Sequence, residues 1–392
     1  MKILIINYEH PPLGGGGGVC TKNLAAALVK KGHLVHILTT GAKFLPKESI
    51  EDGVLVFRVP VLFRKDLKTA SNLSMFTFPL SSIPMGLKLC FRNRYDIINT
   101  HFYAPSGPTG LVLSLLTGIP NVLYIHGADV YDPTRMNKTP AGNGVLSFLL
   151  RLSAKIQNIF TKAISCQSTN TRDNIKKYIG TGKDVTVIPL PFERPPHPGG
   201  RRKDLGLKKD AYYLLSAGRV VKRKGYDYLI EAMKKLDPKI NLILLGDGPE
   251  LPQLIKLAES CGMGGRIIFL GYVEKEEDKF KYYNAADLYV LSSLHEGMGI
   301  VLQEAMEFGL PIVATDHGGQ VDLVKDGFNG LLVHPGDPEM LAAAINRIYG
   351  NKKLGMSFGK RNLELIKRYY SMSIADEFLE FFKIHAKKSK RL

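Results

Sequence analysis

Tyr212-Tyr213-Leu214-Leu215-Ser216-Ala217-Gly218-Arg219-Val220-Val221-Lys222-Arg223-Lys224-Gly225 passes directly from an apolar run into a basic turn bounded by glycines. Tyr212–Ala217 has the length and composition of a strand, and a helical pattern follows over Tyr226–Leu236. Strand, glycine turn and helix together make one unit of a parallel sheet. Within the turn, Arg219 offers a planar fork for phosphate oxygens, and Lys224 offers a compact charge where a helix begins. A plain solvated charge run also accounts for the basic residues. The flanking glycines favour a phosphate clamp.

The same alternation fills the chain. Strands are predicted at Lys2–Asn7, Leu34–Thr39, Val54–Val59, Asp96–Thr100, Asn121–Ile125, Ala163–Ser168 and Val185–Ile188. After the opening stretch they continue at Asn241–Leu245, Arg266–Leu270, Asp287–Ser292, Pro311–Thr315 and Gly330–Val333. Helices are predicted at Thr21–Lys31, Glu250–Glu259, Gly299–Phe308, Pro338–Tyr349 and Ser373–Lys388. Between the halves, Pro189-Leu190-Pro191-Phe192-Glu193-Arg194-Pro195-Pro196-His197-Pro198-Gly199-Gly200 cannot continue a helix or a central strand, so it reads as a stiff linker. At 392 residues the chain fits two domains.

In doubly wound sheets, ligands bind beyond the carboxyl ends of the strands, and here those loops carry the chemistry. Leu294-His295-Glu296-Gly297-Met298-Gly299-Ile300-Val301-Leu302-Gln303-Glu304 holds two carboxylates, the first in a glycine turn and the second inside a helix. At about 100° per residue, helical spacing would set them roughly 80° apart on one face. Ionised carboxylates accept hydrogen bonds from a polyhydroxylated ligand such as a nucleotide-sugar. His10-Pro11-Pro12-Leu13-Gly14-Gly15-Gly16-Gly17-Gly18 leads into a helix and would let backbone N–H groups approach phosphate. It is no Walker A loop, because Val19 and Cys20 stand where Lys and Ser/Thr belong. His126-Gly127 follows a strand and could donate to a sugar hydroxyl or act as a modest acid or base. Gly246-Asp247-Gly248-Pro249 and Thr315-Asp316-His317-Gly318-Gly319 complete the rim of the second domain.

Bulk properties narrow the classes. The apolar fraction of 45% and charged fraction of 23% suit a globular protein, and no apolar run approaches the roughly 20 residues that span a bilayer. Cys20, Cys90, Cys166 and Cys261 have neither metal-like nor redox-like spacing and fit a reducing compartment. The net charge of +17 gathers at Arg58, Arg64, Lys65 and Lys68, at Arg92 and Arg94, and in the tail Lys383, Lys387, Lys388, Lys390 and Arg391. Three explanations stand: nucleic acid, an anionic membrane surface, or a solvated basic surface. No nucleic-acid-binding motif accompanies the charge.

The ordered set of glycine-rich first loop, His126-Gly127, Gly218-Arg219 with Lys224-Gly225, Gly246-Asp247-Gly248, and Glu296 with Glu304 resembles the retaining GT-B glycosyltransferases. Glycosyltransferase family 4 (glycosyl transferases group 1) is the particular family, and the likeness runs over nearly the whole chain. It implies an α/β fold of GT-B architecture, two Rossmann-like doubly wound parallel-sheet domains facing across a cleft. Residues 1–190 would bind the acceptor and 191–372 the nucleotide-sugar, with the helix at 373–392 returning to the first domain. The implied reaction moves a hexose of glucose or mannose type from a UDP- or GDP-sugar, with retention, to a hydroxyl of a lipid-linked, glycan or small-molecule acceptor. Arg219 and Lys224 would neutralise the departing diphosphate, Glu296 hold the donor sugar, Glu304 the ribose, and His126 lie under the reacting sugar. Gly15, Gly16, Gly218, Gly246, Gly248, Val273, Gly297, Met298 and Gly299 would complete the donor site. No metal or cofactor is implied, and the chain contains no Asp-x-Asp. A cytoplasmic enzyme of cell-envelope polysaccharide synthesis follows, peripheral on the inner membrane face and without a nucleic-acid partner. A GT-B epimerase or phosphorylase, or a non-catalytic basic binding module, is the alternative. Two stretches depart from the family pattern: the linker Pro189-Leu190-Pro191-Phe192-Glu193, and Met298 where relatives often carry Phe.

Overall fold

The computed structural model describes residues 1–62, 64, 72–127, 130, 145–199 and 202–386. Lys65, Lys68 and the tail Lys387, Lys388, Lys390 and Arg391 lie outside the described residues.

Fourteen strands are present among the described residues. They are β1 (Lys2–Ile6), β2 (Leu34–Thr40), β3 (Glu48–Glu51), β4 (Val54–Val59), β5 (Ile97–His101), β6 (Asn121–Ile125), β7 (Ala163–Cys166) and β8 (Val185–Val187). The chain continues with β9 (Tyr212–Ala217), β10 (Ile240–Leu245), β11 (Ile267–Gly271), β12 (Leu288–Leu291), β13 (Ile312–Thr315) and β14 (Leu331–Val333). The first sheet has the order β3-β4-β2-β1-β5-β6-β7-β8, and the second β11-β10-β9-β12-β13-β14. Every pairing is parallel except β3 with β4. In both sheets the order reverses at the central strand, so β1 and β5, and β9 and β12, part at a switch point where loops diverge to opposite faces.

The apolar runs form strands because both sheet faces are covered. Ile3, Leu4, Ile5 and Ile6 are wholly buried, as are Leu242, Ile243 and Leu244. On one face of the first sheet, Leu4, Ile6, Leu38 and Ile98 pack with Phe78, Leu89 and Leu113 from the helices Asn72–Asn93 and Ser106–Thr117. In the second unit, Leu214, Leu242 and Val313 pack with Leu229, Ile230, Leu341 and Ile345. Each such side chain contributes roughly 1.5–3 kcal/mol.

Two compact units result. One runs to Glu193 and resumes at Tyr369, and the other spans Arg194–Arg368. The sequence sets these joints at 190/191 and 372/373. Inside the first unit the two crossings pair: Phe192 N–H donates to Tyr369 O, and Ser371 N–H donates to Phe192 O, both at 2.9 Å. The last helix, Ser371–His385, buries Phe378, Phe381 and Phe382 in the first unit. Phe378 lies 5.0 Å from the Tyr124 ring, and Asp376 pairs with Lys31 at 2.7 Å. Among the described residues, no helix is long and apolar enough to cross a membrane.

Candidate active site

In the second unit the loop after β9 and the loop after β12 are laced together. Leu294 N–H donates to Arg223 O at 2.8 Å, and Ser292 Oγ donates to Lys224 O at 2.9 Å. That backbone register brings together two residues 72 positions apart: Lys224 Nζ donates to Glu296 Oε1 at 2.6 Å. Ser293 Oγ donates to the same oxygen at 2.8 Å, and Arg223 Nη1 to Oε2 at 3.3 Å. Lys224 and Glu296 are both buried. A bridge between Glu296 and Gly318, with Gly319 N–H donating to Glu296 O at 2.8 Å, pins the carboxylate's own backbone.

Burial pushes the Glu296 carboxyl up, but the Lys224 and Arg223 charges and the hydrogen bonds from Lys224 and Ser293 outweigh it and hold it at about 2. The group is therefore a weak base and a weak nucleophile at neutral pH. Its remaining lone pairs can still accept hydroxyl hydrogen bonds. Since the folded value lies below the ordinary 4.5, the unfolded chain binds more protons between the two. The stability it contributes is full above that ordinary value and is lost as pH falls toward 2. Melting temperature is expected to drop as pH goes from about 5 to about 2.5, and to drop less steeply in Glu296→Gln. Identical profiles would count against this ion pair. In the first unit Glu51 titrates over the same window. There burial is outweighed by hydrogen bonds from Arg58, Ser49 and His10, so only part of the slope belongs to Glu296.

Glu304 has separate partners. Lys279 Nζ donates to Oε1 at 2.7 Å and Tyr283 OH to Oε2 at 2.6 Å. The helix carrying it is Ile300–Glu307, so Glu296 stands outside it and the 80° helical estimate does not apply. Gly299, at φ +98°, turns the chain into that helix. Beside it, Gly297 is half-buried and Met298 is buried.

Arg219 is exposed, and among the described residues no ion pair involves it. Gly218, Gly246 and Gly248 serve close backbone approach. A Cβ on Gly246 would stand 1.9 Å from Gly218 O, and one on Gly248 2.2 Å from Val220 O. Val273 lies half-buried just past β11.

The first unit carries His126 at the end of β6. His101 Nε2–H donates to Asn99 Oδ1 at 2.9 Å, so His101 Nδ1 is an acceptor. It lies 2.9 Å from His126 Nε2, which must therefore carry the proton. His126 Nδ1 is left as a buried lone pair without a partner among the described residues. Burial lowers this imidazole to about 3, and Phe102 stacks on it at 4.3 Å. From sequence this histidine could donate or act as a modest acid or base; with Asn99 Oδ1 facing His101, the ring is neutral and its Nδ1 accepts. His126→Phe keeps the stack and removes the lone pair, and it also removes the hydrogen bond to His101 Nδ1, which still faces Thr21 Oγ1 at 3.0 Å. Its turnover is expected to fall roughly tenfold or more, with a stability loss of about 1–3 kcal/mol that its melting curve reads. Full turnover in the folded variant would remove His126 from the site.

The glycine loop also differs from expectation. Its helix starts at Gly16, not Thr21, so the glycines form the first turn, where orphan N–H groups need partners. Gly15 N–H already donates to Glu9 Oε2 at 3.1 Å. Sequence reasoning missed Glu9, His101, Arg223, Ser293, Lys279 and Tyr283. Only the last two carried a local signal, standing four apart on the helix Glu276–Ala285.

Residues 14–193 match the family model described as Glycosyltransferase Family 4, and residues 201–364 match Glycosyl transferases group 1. An uncharacterized glycosyltransferase of Methanocaldococcus jannaschii is 28% identical over 98% of each chain. Among solved structures, sucrose-phosphate synthase from Thermosynechococcus elongatus superposes with TM-score 0.84 at 22% identity, covering 98% of both chains. Anabaena HepE in complex with UDP-glucose superposes with TM-score 0.75 at 22% identity, over 98% of this chain and all of that one.

Proposed function

The chain belongs to glycosyltransferase family 4 (glycosyl transferases group 1) and has its GT-B fold, and we propose that it moves a hexose from UDP- or GDP-sugar to an acceptor hydroxyl with retention and without a divalent ion. The observation that carries this reading is the buried Lys224–Glu296 pair, flanked by Arg223 and by the exposed Arg219. In the transfer, the bond from sugar C1 to the phosphate oxygen breaks and the bond to the acceptor oxygen forms. The acceptor proton leaves with the phosphate. Positive charge grows on the sugar and negative charge on the diphosphate, so cations held in place beforehand stabilise the transition state more than the bound donor.

Retention needs either attack from the leaving-group face or two inversions through an enzyme nucleophile. Glu296, held at about 2 by its cations, suits the first route. It fixes Lys224 and accepts from sugar hydroxyls. In the second unit Glu304, held by Lys279 and Tyr283, would take the ribose, and in the first unit His126 Nδ1 would accept from a substrate hydroxyl. Acceptor binding is assigned to the first unit, with lipid-linked, glycan and small-molecule acceptors all compatible. The UDP-glucose complex of the Anabaena relative supports a UDP-hexose as the first donor to try.

Proton NMR of the transferred sugar tests the reading. The same anomer in donor and product supports it, and the opposite anomer overturns the retaining route.

A further inference from the structure

The helix Val145–Phe160 leaves one long face uncovered. Phe148, Leu149, Leu152, Ile156, Ile159 and Phe160 are all exposed. At about 100° per residue these six fall within roughly 120° of arc. Ala154, Gln157 and Asn158 are buried on the opposite side. The helix carries no acidic residue, and Lys155 lies exposed beside the stripe. Soluble proteins rarely leave so continuous an apolar surface without an occupant.

At the C-terminal end of this helix lies a hollow of about 670 Å³. Phe160, Lys162, Lys183, Lys383, Ile384 and His385 line it, and no carboxylate is among its described lining residues. Lys183 Nζ donates to the carbonyls of Asn158, Ile159 and Thr161 at 2.6, 2.8 and 2.5 Å, closing the helix end with all three of its donors. Lys383 pairs with exposed Glu380 at 3.1 Å. Burial first, and the Lys162 charge second, lower both Lys183 and His385. Lys162, and Lys383 with only the exposed Glu380 beside it, leave positive charge at the hollow that favours an anion, and the apolar rim favours one attached to hydrocarbon.

We propose that the first unit docks on an anionic lipid bilayer, with the apolar stripe of Val145–Phe160 in the interface and the lysine hollow on a phospholipid phosphate. The helix spans about 24 Å. It follows β6, whose carboxyl end lies beside His126, and it delivers the chain to the amino end of the neighbouring β7, where Asn121 and Lys162 border the hollow. Docking along its length would lay the membrane from the carboxyl ends of these strands to their amino ends. Amphipathic helices with Phe and Leu on one face and Lys or Arg on the other bind interfaces in this way, each nearby cation adding about 1 kcal/mol. A second copy of the chain fits less well, because a two-fold contact through this stripe would set Lys155 and its copy in apposition. The proposal does not depend on the transferase reading.

Co-sedimentation of the full chain with vesicles tests it, comparing phosphatidylcholine alone with phosphatidylcholine containing about 30% phosphatidylglycerol at low salt. Binding is expected to the anionic vesicles. It should fall roughly tenfold in Ile156→Ser/Ile159→Ser, and again in Lys162→Glu/Lys383→Glu, with melting temperatures unchanged because these side chains are exposed. Leu149→Ser/Leu152→Ser is the second stripe variant if the first fails to fold. Three results would overturn the proposal: a full chain that ignores anionic vesicles, variants that bind like the original, or a concentration-dependent dimer that the stripe variant dissolves.

Discussion

Lys224→Ala is expected to lose about a hundredfold in turnover, the scale on which removing one preorganised charge-stabilising donor acts. The loss has two physical parts. The departing diphosphate loses a cation, and Glu296, still buried, keeps only the longer contact from Arg223. Breaking a buried ion pair from one side costs roughly 3–5 kcal/mol unless the orphaned group protonates. With Lys224 gone, the burial that already pushes the Glu296 carboxyl up meets less opposition. Turnover of Lys224→Ala, Glu296→Gln and the double variant, each checked for folding by its melting curve, separates the parts. Residues acting as one unit give non-additive losses, so the double variant should be little worse than the poorer single one. Strict additivity would mean that the two side chains act independently, and a folded Lys224→Ala variant with full activity would remove the phosphate clamp.

Gly246→Ala is expected to destabilise the second unit by roughly 3 kcal/mol or more, combining overpacking with a left-handed backbone conformation. Gly246 sits at φ +139°, and the added Cβ would meet the Gly218 carbonyl oxygen at 1.9 Å. The obstacle is backbone, so no rotamer change relieves it. The two loops are held by Gly218 N–H donating to Leu245 O and Val220 N–H donating to Asp247 O, both at 2.9 Å. Moving one loop away would break those bonds and shift Arg219. Gly262→Ala is the control: it also has positive φ, at +70°, but nothing lies within 4 Å of the new methyl. Urea unfolding should show a cost of about 1–2 kcal/mol there. Equal costs at the two sites would mean that loop stacking at Gly246 is unimportant.

The parallel sheets were legible because covered strands are continuous apolar runs, as in Ile3–Ile6 and Leu242–Leu244, and glycine turns punctuate them. β3 escaped because Glu48–Glu51 is a short polar edge strand whose Ile50 faces solvent. The helix Asn72–Asn93 was hidden by Pro79 and Pro84 within it. Glu296, Arg219 and Lys224 in the second unit and His126 in the first could be named from their places after strands, but what each one bonds could not. The Lys224–Glu296 contact depends on how two loops pack, and no local period encodes a separation of 72 residues. The same holds for His126, whose accepting nitrogen follows from His101 and Asn99 on the neighbouring strand.

The most direct measurement is nucleotide release from UDP-, GDP- and ADP-sugars by the purified protein in EDTA, with Glu296→Gln alongside and donor binding followed by calorimetry. One nucleotide is expected to be released without metal, and release is expected to collapse in the variant. Absence of both release and binding for every donor would contradict the transferase reading.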